Sequence, residues 1–411
     1  MLSLVTLGIA SCKNFGFIPE AELNPVKNCY FKTFNVEVES QIDDELRNKI
    51  EKNSGPERPF LYISGGSQNG AFGAGVLDGW ATSNEGHLPD FSVVTGVSTG
   101  ALLSLAAFTD TPEAAVNSYT IDDEGELLDV FVSGPDLGII NSYTLIKKGA
   151  LSDLVPMRQR LREVLQNKEY DIIRKIADKN DNSALLIVLT NIEDGEAYAF
   201  DMTDMAVRIQ NSRPTHLSQN TKIIESKESD AYLTCFIEAL TGSSIVPPAA
   251  RPVVIDNNYY IDGGARFGVI NQMVGSNFMM VERITTPAFL LINGDLTVDV
   301  KEHDGYKFVS LAKRSVDILQ DQVYKFSREK IINDAEDYDL DLYELHFTMD
   351  GQVSTESTLH NLYNGQIETR NCLEWRDVDK TMKPIQFHPH YMRCMIDYGR
   401  NSSIQWKRLT D

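Results

Sequence analysis

Short continuous apolar runs alternate along this chain with stretches of three-four periodicity, a pattern that predicts strands and helices in turn. Residues 59–64, Pro-Phe-Leu-Tyr-Ile-Ser, are too few for a helix and apolar on both faces, as a strand buried within a sheet requires. Residues 91–95, 184–190 and 288–292 read the same way, and 184–190 returns through Gly195 to Phe200 as a hairpin. Two shorter strands, 253–255 and 259–261, face each other across an Asn-Asn turn. Residues 70–82, 101–108, 151–165 and 230–240 have helical character, and 151–165 is amphipathic. Strands of this kind alternating with helices predict an α/β sandwich with a largely parallel central sheet.

The longest periodic stretch is 307–332. Val309, Ala312, Val316, Leu319, Val323 and Phe326 make one face of a long helix, expected to pack on the core. Lys313, Arg314, Lys325 and Arg328 then form its solvated side, with membrane contact as the alternative. Residues 13–55 are polar and weakly periodic, Ser54-Gly55-Pro56 reads as a linker, and order is expected from Pro59 onward.

Charge and the N-terminus change this picture. The 411 residues carry a formal charge of −21, which argues against a nucleic-acid partner, because phosphate binding needs concentrated Lys and Arg. The same charge disfavours electrostatic docking on an anionic membrane, so any lipid must be held by apolar contacts. The first residues form a short apolar stretch ending in Ile9-Ala10-Ser11-Cys12, which resembles the lipobox of bacterial lipoproteins. In that pathway residues 1–12 are the signal region and Cys12 is acylated, which anchors the protein in the cell envelope, in the periplasm or at the outer membrane. No Lys or Arg precedes the run as a signal n-region requires, so an accidental motif on a cytoplasmic protein stays open. Later apolar runs fall short of the roughly 18–20 residues that span a bilayer. Cys29, Cys235, Cys372 and Cys394 allow three disulfide pairings in an exported chain, and buried free thiols otherwise.

Three short motifs carry chemistry. Gly96-Val97-Ser98-Thr99-Gly100 lies between a predicted strand and a predicted helix, the setting of a nucleophile elbow. By chance alone Gly-x-Ser-x-Gly arises in about one chain in seven of this length, so the flanking elements matter more than the motif. Ser98 would stand at a helix N-terminus, where unpaired N–H groups favour developing negative charge. The second motif, Ser64-Gly65-Gly66-Ser67-Gln68-Asn69-Gly70, also follows a strand and opens a helix, and such turns point N–H groups at an anion. It matches neither the dinucleotide fingerprint nor a P-loop, so an oxyanion fits it better than a phosphate. The third, Asp262-Gly263-Gly264, places a carboxylate at a strand end; alone it is a turn signal.

In this order the three motifs resemble those of the patatin-like phospholipase family, as do 94–102, 185–190, 245–248 and the segment 387–406. The resemblance covers about residues 59–411, with 13–58 as an N-terminal extension. It implies a three-layer α/β/α sandwich and a lipid acyl-hydrolase of phospholipase A or lysophospholipase type, working without metal or cofactor. It further implies Ser98 as nucleophile, Asp262 as general base, and Gly65, Gly66, Ser67 and Thr99 as the oxyanion hole. Gly96, Gly100, Gly263 and Gly264 would shape the elbow and turn. The family usually carries Arg or Lys where this chain has Asn69, and often a third glycine where it has Ser67. Two alternatives stay open: an esterase or thioesterase on soluble acyl substrates and, motivated by the loss of that positive charge at Asn69, a non-catalytic envelope binding module. A histidine triad would need His303, His346, His360, His388 or His390. Of these, His346 reads as a strand histidine and His388-Pro389-His390 as a surface turn.

Overall fold

Burial on both faces sorts the apolar runs into the middle of one sheet. The computed structural model describes residues 23–37, 48–49, 52–53, 55–131, 150, 152–214, 222–246, 249–271, 286–294, 296–297, 308–382, 384 and 386–410. Cys12 and His303 lie outside these residues. The first strands are Thr33–Asn35 (β1), Phe60–Ile63 (β2), Val93–Val97 (β3), Asp129–Val130 (β4), Ser152–Asp153 (β5), Ala184–Asn191 (β6) and Ala197–Asp201 (β7). Then come Val253–Ile255 (β8), Asn258–Asp262 (β9), Ala288–Ile292 (β10), Leu342–His346 (β11), Glu356–His360 (β12), Ile367–Asn371 (β13) and Lys407–Arg408 (β14). The helices begin with Gly70–Ser83 (α1), Thr99–Thr109 (α2), Pro112–Tyr119 (α3), Val155–Leu165 (α4), Ile172–Asp178 (α5) and Met202–Ser212 (α6). Lys227–Ser243 (α7), Phe308–Asp337 (α8), Met349–Ser354 (α9), Cys372–Lys380 (α10) and Pro389–Ser402 (α11) complete them.

A ten-stranded sheet runs in the order β1-β7-β6-β3-β2-β10-β11-β14, with β8 and β9 attached through β6. Its five central strands, β6, β3, β2, β10 and β11, are parallel. Antiparallel β7, β1 and β14 finish the edges. Side chains alternate between two cores. Leu61 and Ile63 join Phe72 of α1 and Leu103 of α2 on one face, while Phe60 and Tyr62 join Ile331 and Ala335 of α8 on the other. Helices thus cover both faces, in three α/β/α layers. The chain leaves β2 toward β3 and leaves β10 toward β11, on opposite sides. This reversal falls between β2 and β10, and open α/β sheets bind ligands at the carboxyl ends of strands around such a point.

Four local expectations change. Order begins before Pro59, because β1 pairs with β7 and a disulfide joins Cys29 to Cys235 of α7. Both partners lie far along the chain, beyond the reach of a local pattern. Ile255 pairs with Asn258, so the hairpin turn is Asp256-Asn257, both at positive φ as a type I′ turn requires. Helix α4 starts only at Val155, since Ser152 and Asp153 pair with β4. In α8 the packed face is Tyr324, Ile331 and Ala335, whereas Leu319 and Phe326 are 66% and 63% exposed. The reason is steric. Gly65, Gly268 and Gly294 leave a hollow that admits Tyr324, and seating that ring turns Leu319 and Phe326 outward.

Candidate active site

Ser98 lies between β3 and α2 with φ 55° and ψ −127°, a backbone conformation that costs about 1–3 kcal/mol in a residue with a Cβ. The flanking glycines are there for space. A Cβ on Gly96 would strike the backbone of Gly100 and Ala101, and one on Gly100 would strike the Ile63 carbonyl. The Ser98 N–H donates to Ser243 Oγ at 3.0 Å, and that hydroxyl donates to the Val188 carbonyl at 2.7 Å. The end of α7 therefore ties the elbow to β6.

Register explains how Asp262 reaches Ser98. Val97 of β3 pairs with Val188 of β6, and Asp262 of β9 pairs with the next residue, Leu189. Because β7 occupies the opposite edge of β6, β3 and β9 share one edge and run toward each other. Their ends meet, which brings the Ser98 hydroxyl to face the Asp262 carboxyl closely enough to favour its ionised form. The Gly264 N–H donates to Asp262 Oδ1 at 2.6 Å and opens the short turn Gly263–Ala265. Burial pushes the Asp262 carboxyl up to about 7, while the Ser98 hydroxyl and the Gly264 N–H pull the other way.

The glycine-rich loop faces this pair. Gly66 lies against the Asn293 carbonyl, where no side chain fits, and Ser67 has φ 53°. The Gly65 N–H is engaged, donating to the Gly268 carbonyl at 3.0 Å. The N–H groups of Gly66, Ser67 and Thr99 have no hydrogen-bond partner among the described residues. Tyr119 hydrogen-bonds the Thr99 hydroxyl and donates to its carbonyl at 3.2 Å, fixing the first turn of α2. From Ser98 a pocket opens between α2, α3 and α4, lined by Leu102, Leu105, Ala115, Met157, Leu165 and Phe387 among others. It encloses about 1230 Å³ including its open mouth.

Sequence reasoning missed Ser243 and Tyr119 and gave residues 386–391 no role at the site, because all act through long-range hydrogen bonds that no local motif encodes. The surface turn expected at His388-Pro389-His390 is absent. Pro389 begins α11, and His390 is fully buried, its Nδ1 2.6 Å from Asp379 Oδ1 and its ring stacked on Trp375. Proline suits a first helical position, and the buried Asp379 of α10 supplies the partner that draws His390 inward. His346 lies 3.0 Å from Glu344, and His388 faces Gln68.

Fold and site together define an α/β protein with a strained serine at a strand-to-helix elbow, facing a buried carboxyl. The chain belongs to the patatin-like phospholipase family, whose model matches residues 61–272, and the family is one of lipid hydrolases. Among solved structures, VipD from Legionella pneumophila is similar at 12% identity and a TM-score of 0.38, over 87% of this chain and 69% of that one. No curated protein matches the chain in sequence.

Proposed function

We propose that this protein hydrolyses carboxylic esters of lipids through a Ser98–Asp262 dyad. The observation that carries the reading is the meeting of the strained elbow with the end of β9, which sets the Ser98 hydroxyl beside the buried Asp262 carboxyl. Asp262 takes the Ser98 proton as Oγ attacks the ester carbonyl, and the N–H groups of Gly66, Ser67 and Thr99 receive the oxyanion. Gly65 is left out of that set because Gly268 holds its N–H. Loss of one such donor typically costs about 2.7–4 kcal/mol in the transition state. The alcohol departs with the proton held by Asp262. Water then gives one proton to Asp262 as it attacks the acyl-enzyme, the bond between Ser98 Oγ and the acyl carbon breaks as Asp262 returns that proton to Ser98, and the fatty acid leaves. The apolar pocket beside Ser98 suits the acyl chain.

Ser98→Ala and Asp262→Asn are expected to abolish ester turnover in folded protein, and a fluorophosphonate is expected to label Ser98. Full turnover by Ser98→Ala would refute the site. The rival substrate, a small soluble acyl ester, is separated by comparing chromogenic esters of rising chain length with phospholipid vesicles. For location we propose the cell envelope, with Cys12 as lipid anchor. The two disulfides, Cys29–Cys235 and Cys372–Cys394, support an oxidising compartment. Cys12→Ala should release the protein from the membrane fraction; an unchanged distribution would count against the anchor.

A further inference from the structure

Ser67, Gln68 and Asn69 shape the loop over Ser98, and each is met by a residue from the far end of the chain. Gln386 Nε2 donates to Ser67 Oγ at 2.7 Å. Gln68 Oε1 accepts the His388 backbone N–H at 3.1 Å and lies 3.0 Å from His388 Nδ1. The Tyr391 hydroxyl lies 3.1 Å from Asn69 Oδ1. The segment carrying these groups is itself held. Glu124 Oε1 accepts the N–H groups of Gln386 and Phe387 at 2.6 and 2.8 Å, and Asp379 Oδ2 accepts that of Tyr391 at 3.0 Å. The Cys372–Cys394 disulfide joins α10 to α11 behind it. All three contacting residues fall outside the stretch matched by the family model, 61–272.

We propose that residues 386–391 are a positioning strap that aims the Gly66 and Ser67 amides at the reacting carbonyl. This rests on the Ser98–Asp262 reading and adds to it the source of the loop's preorganisation. Hydrogen-bond donors stabilise an oxyanion only if they already point at it before charge develops. Ser67 is held at positive φ, a conformation that persists only where the surroundings over-determine it. The three contacts from the strap supply that constraint. Gln386 also lines the pocket beside Ser67, whereas Tyr391 acts from outside its wall.

The test compares Tyr391→Phe, Gln386→Ala, Ser67→Ala and the Gln386→Ala/Ser67→Ala double variant with the parent, on a soluble p-nitrophenyl ester. Tyr391→Phe keeps the buried ring but takes from Gln352 Oε1 a hydroxyl 3.1 Å away, so it is expected to fold and to melt somewhat below the parent. Its kcat should fall roughly tenfold and its KM stay within about twofold, as for lost transition-state stabilisation. Gln386→Ala should lower kcat similarly, and the double variant should lose no more than the worse single one, because Gln386 acts through Ser67. Parent-like kcat in both strap variants, or additive losses at 67 and 386, would overturn the strap while the dyad stands. An inert parent whose Ser98 resists fluorophosphonate would overturn the dyad and the strap with it.

Discussion

The Ser98 hydroxyl faces the Asp262 carboxyl where two strands meet end to end on one edge of β6, and burial pushes that carboxyl up to about 7. A general base must be ionised to accept a proton, so the acid limb of kcat/KM reports the base in the free enzyme. With an ordinary aspartate that limb would lie near pH 4. Here kcat/KM should rise with pH through an apparent pKa near 7 and fall about tenfold per unit well below it. A rate profile on a non-ionising ester checks this. Undiminished kcat/KM at pH 5 would mean that Asp262 is not the base.

The same shift makes a prediction about stability, with a definite sign. The folded pKa is raised above the unfolded value, so the folded state binds the proton more tightly. The stability linked to Asp262 is then greatest at low pH and declines as pH rises from about 4 to about 7, where the buried group must ionise. Asparagine keeps the Gly264 N–H satisfied and carries no charge. The melting temperature of Asp262→Asn relative to the parent should therefore climb across that window and level off above it. A variant less stable than the parent at pH 8 would contradict the account.

Ser243 accepts the Ser98 N–H and donates to Val188. Ser243→Ala leaves a buried donor and a buried acceptor without partners, at about 1–3 kcal/mol each. It also frees the elbow to relax from its positive φ. Both the denaturation midpoint and the rate at which a fluorophosphonate labels Ser98 should fall. If neither moves, Ser243 is a bystander.

The parts of the site legible in the sequence are those where one residue type is forced by local geometry. Gly96, Gly100 and Gly66 occupy places where a Cβ strikes backbone, so the glycine motifs could be read directly. Four of the five central strands, β2, β3, β6 and β10, were legible because burial on both faces leaves them almost wholly apolar, whereas Glu344 and His346 interrupt β11. Asp262 was visible at a strand end, but its approach to Ser98 depends on β9 continuing the edge that β3 vacates, a matter of long-range register. Helix α8 shows the opposite failure. Its periodicity was clear, yet the buried face was chosen by a glycine-lined hollow around Tyr324 that helical period does not encode. Cys29 and Cys372 likewise found partners that spacing could not rank.

The pocket makes a prediction about substrate length. Its walls come from α2, α3 and α4, and Ala106 and Ala115 contribute small side chains where larger ones would project into it. Each methylene buried contributes about 0.8 kcal/mol, so kcat/KM should climb about fourfold per added carbon until the chain fills the space. Ala115→Leu removes room for about three methylenes, by its three extra carbons, and should move the optimum toward shorter acyl chains without changing the rate on acetate. A series of p-nitrophenyl esters from acetate to palmitate reads this out. If a folded Ala115→Leu enzyme keeps the parent's length profile, the acyl chain does not lie between α2, α3 and α4.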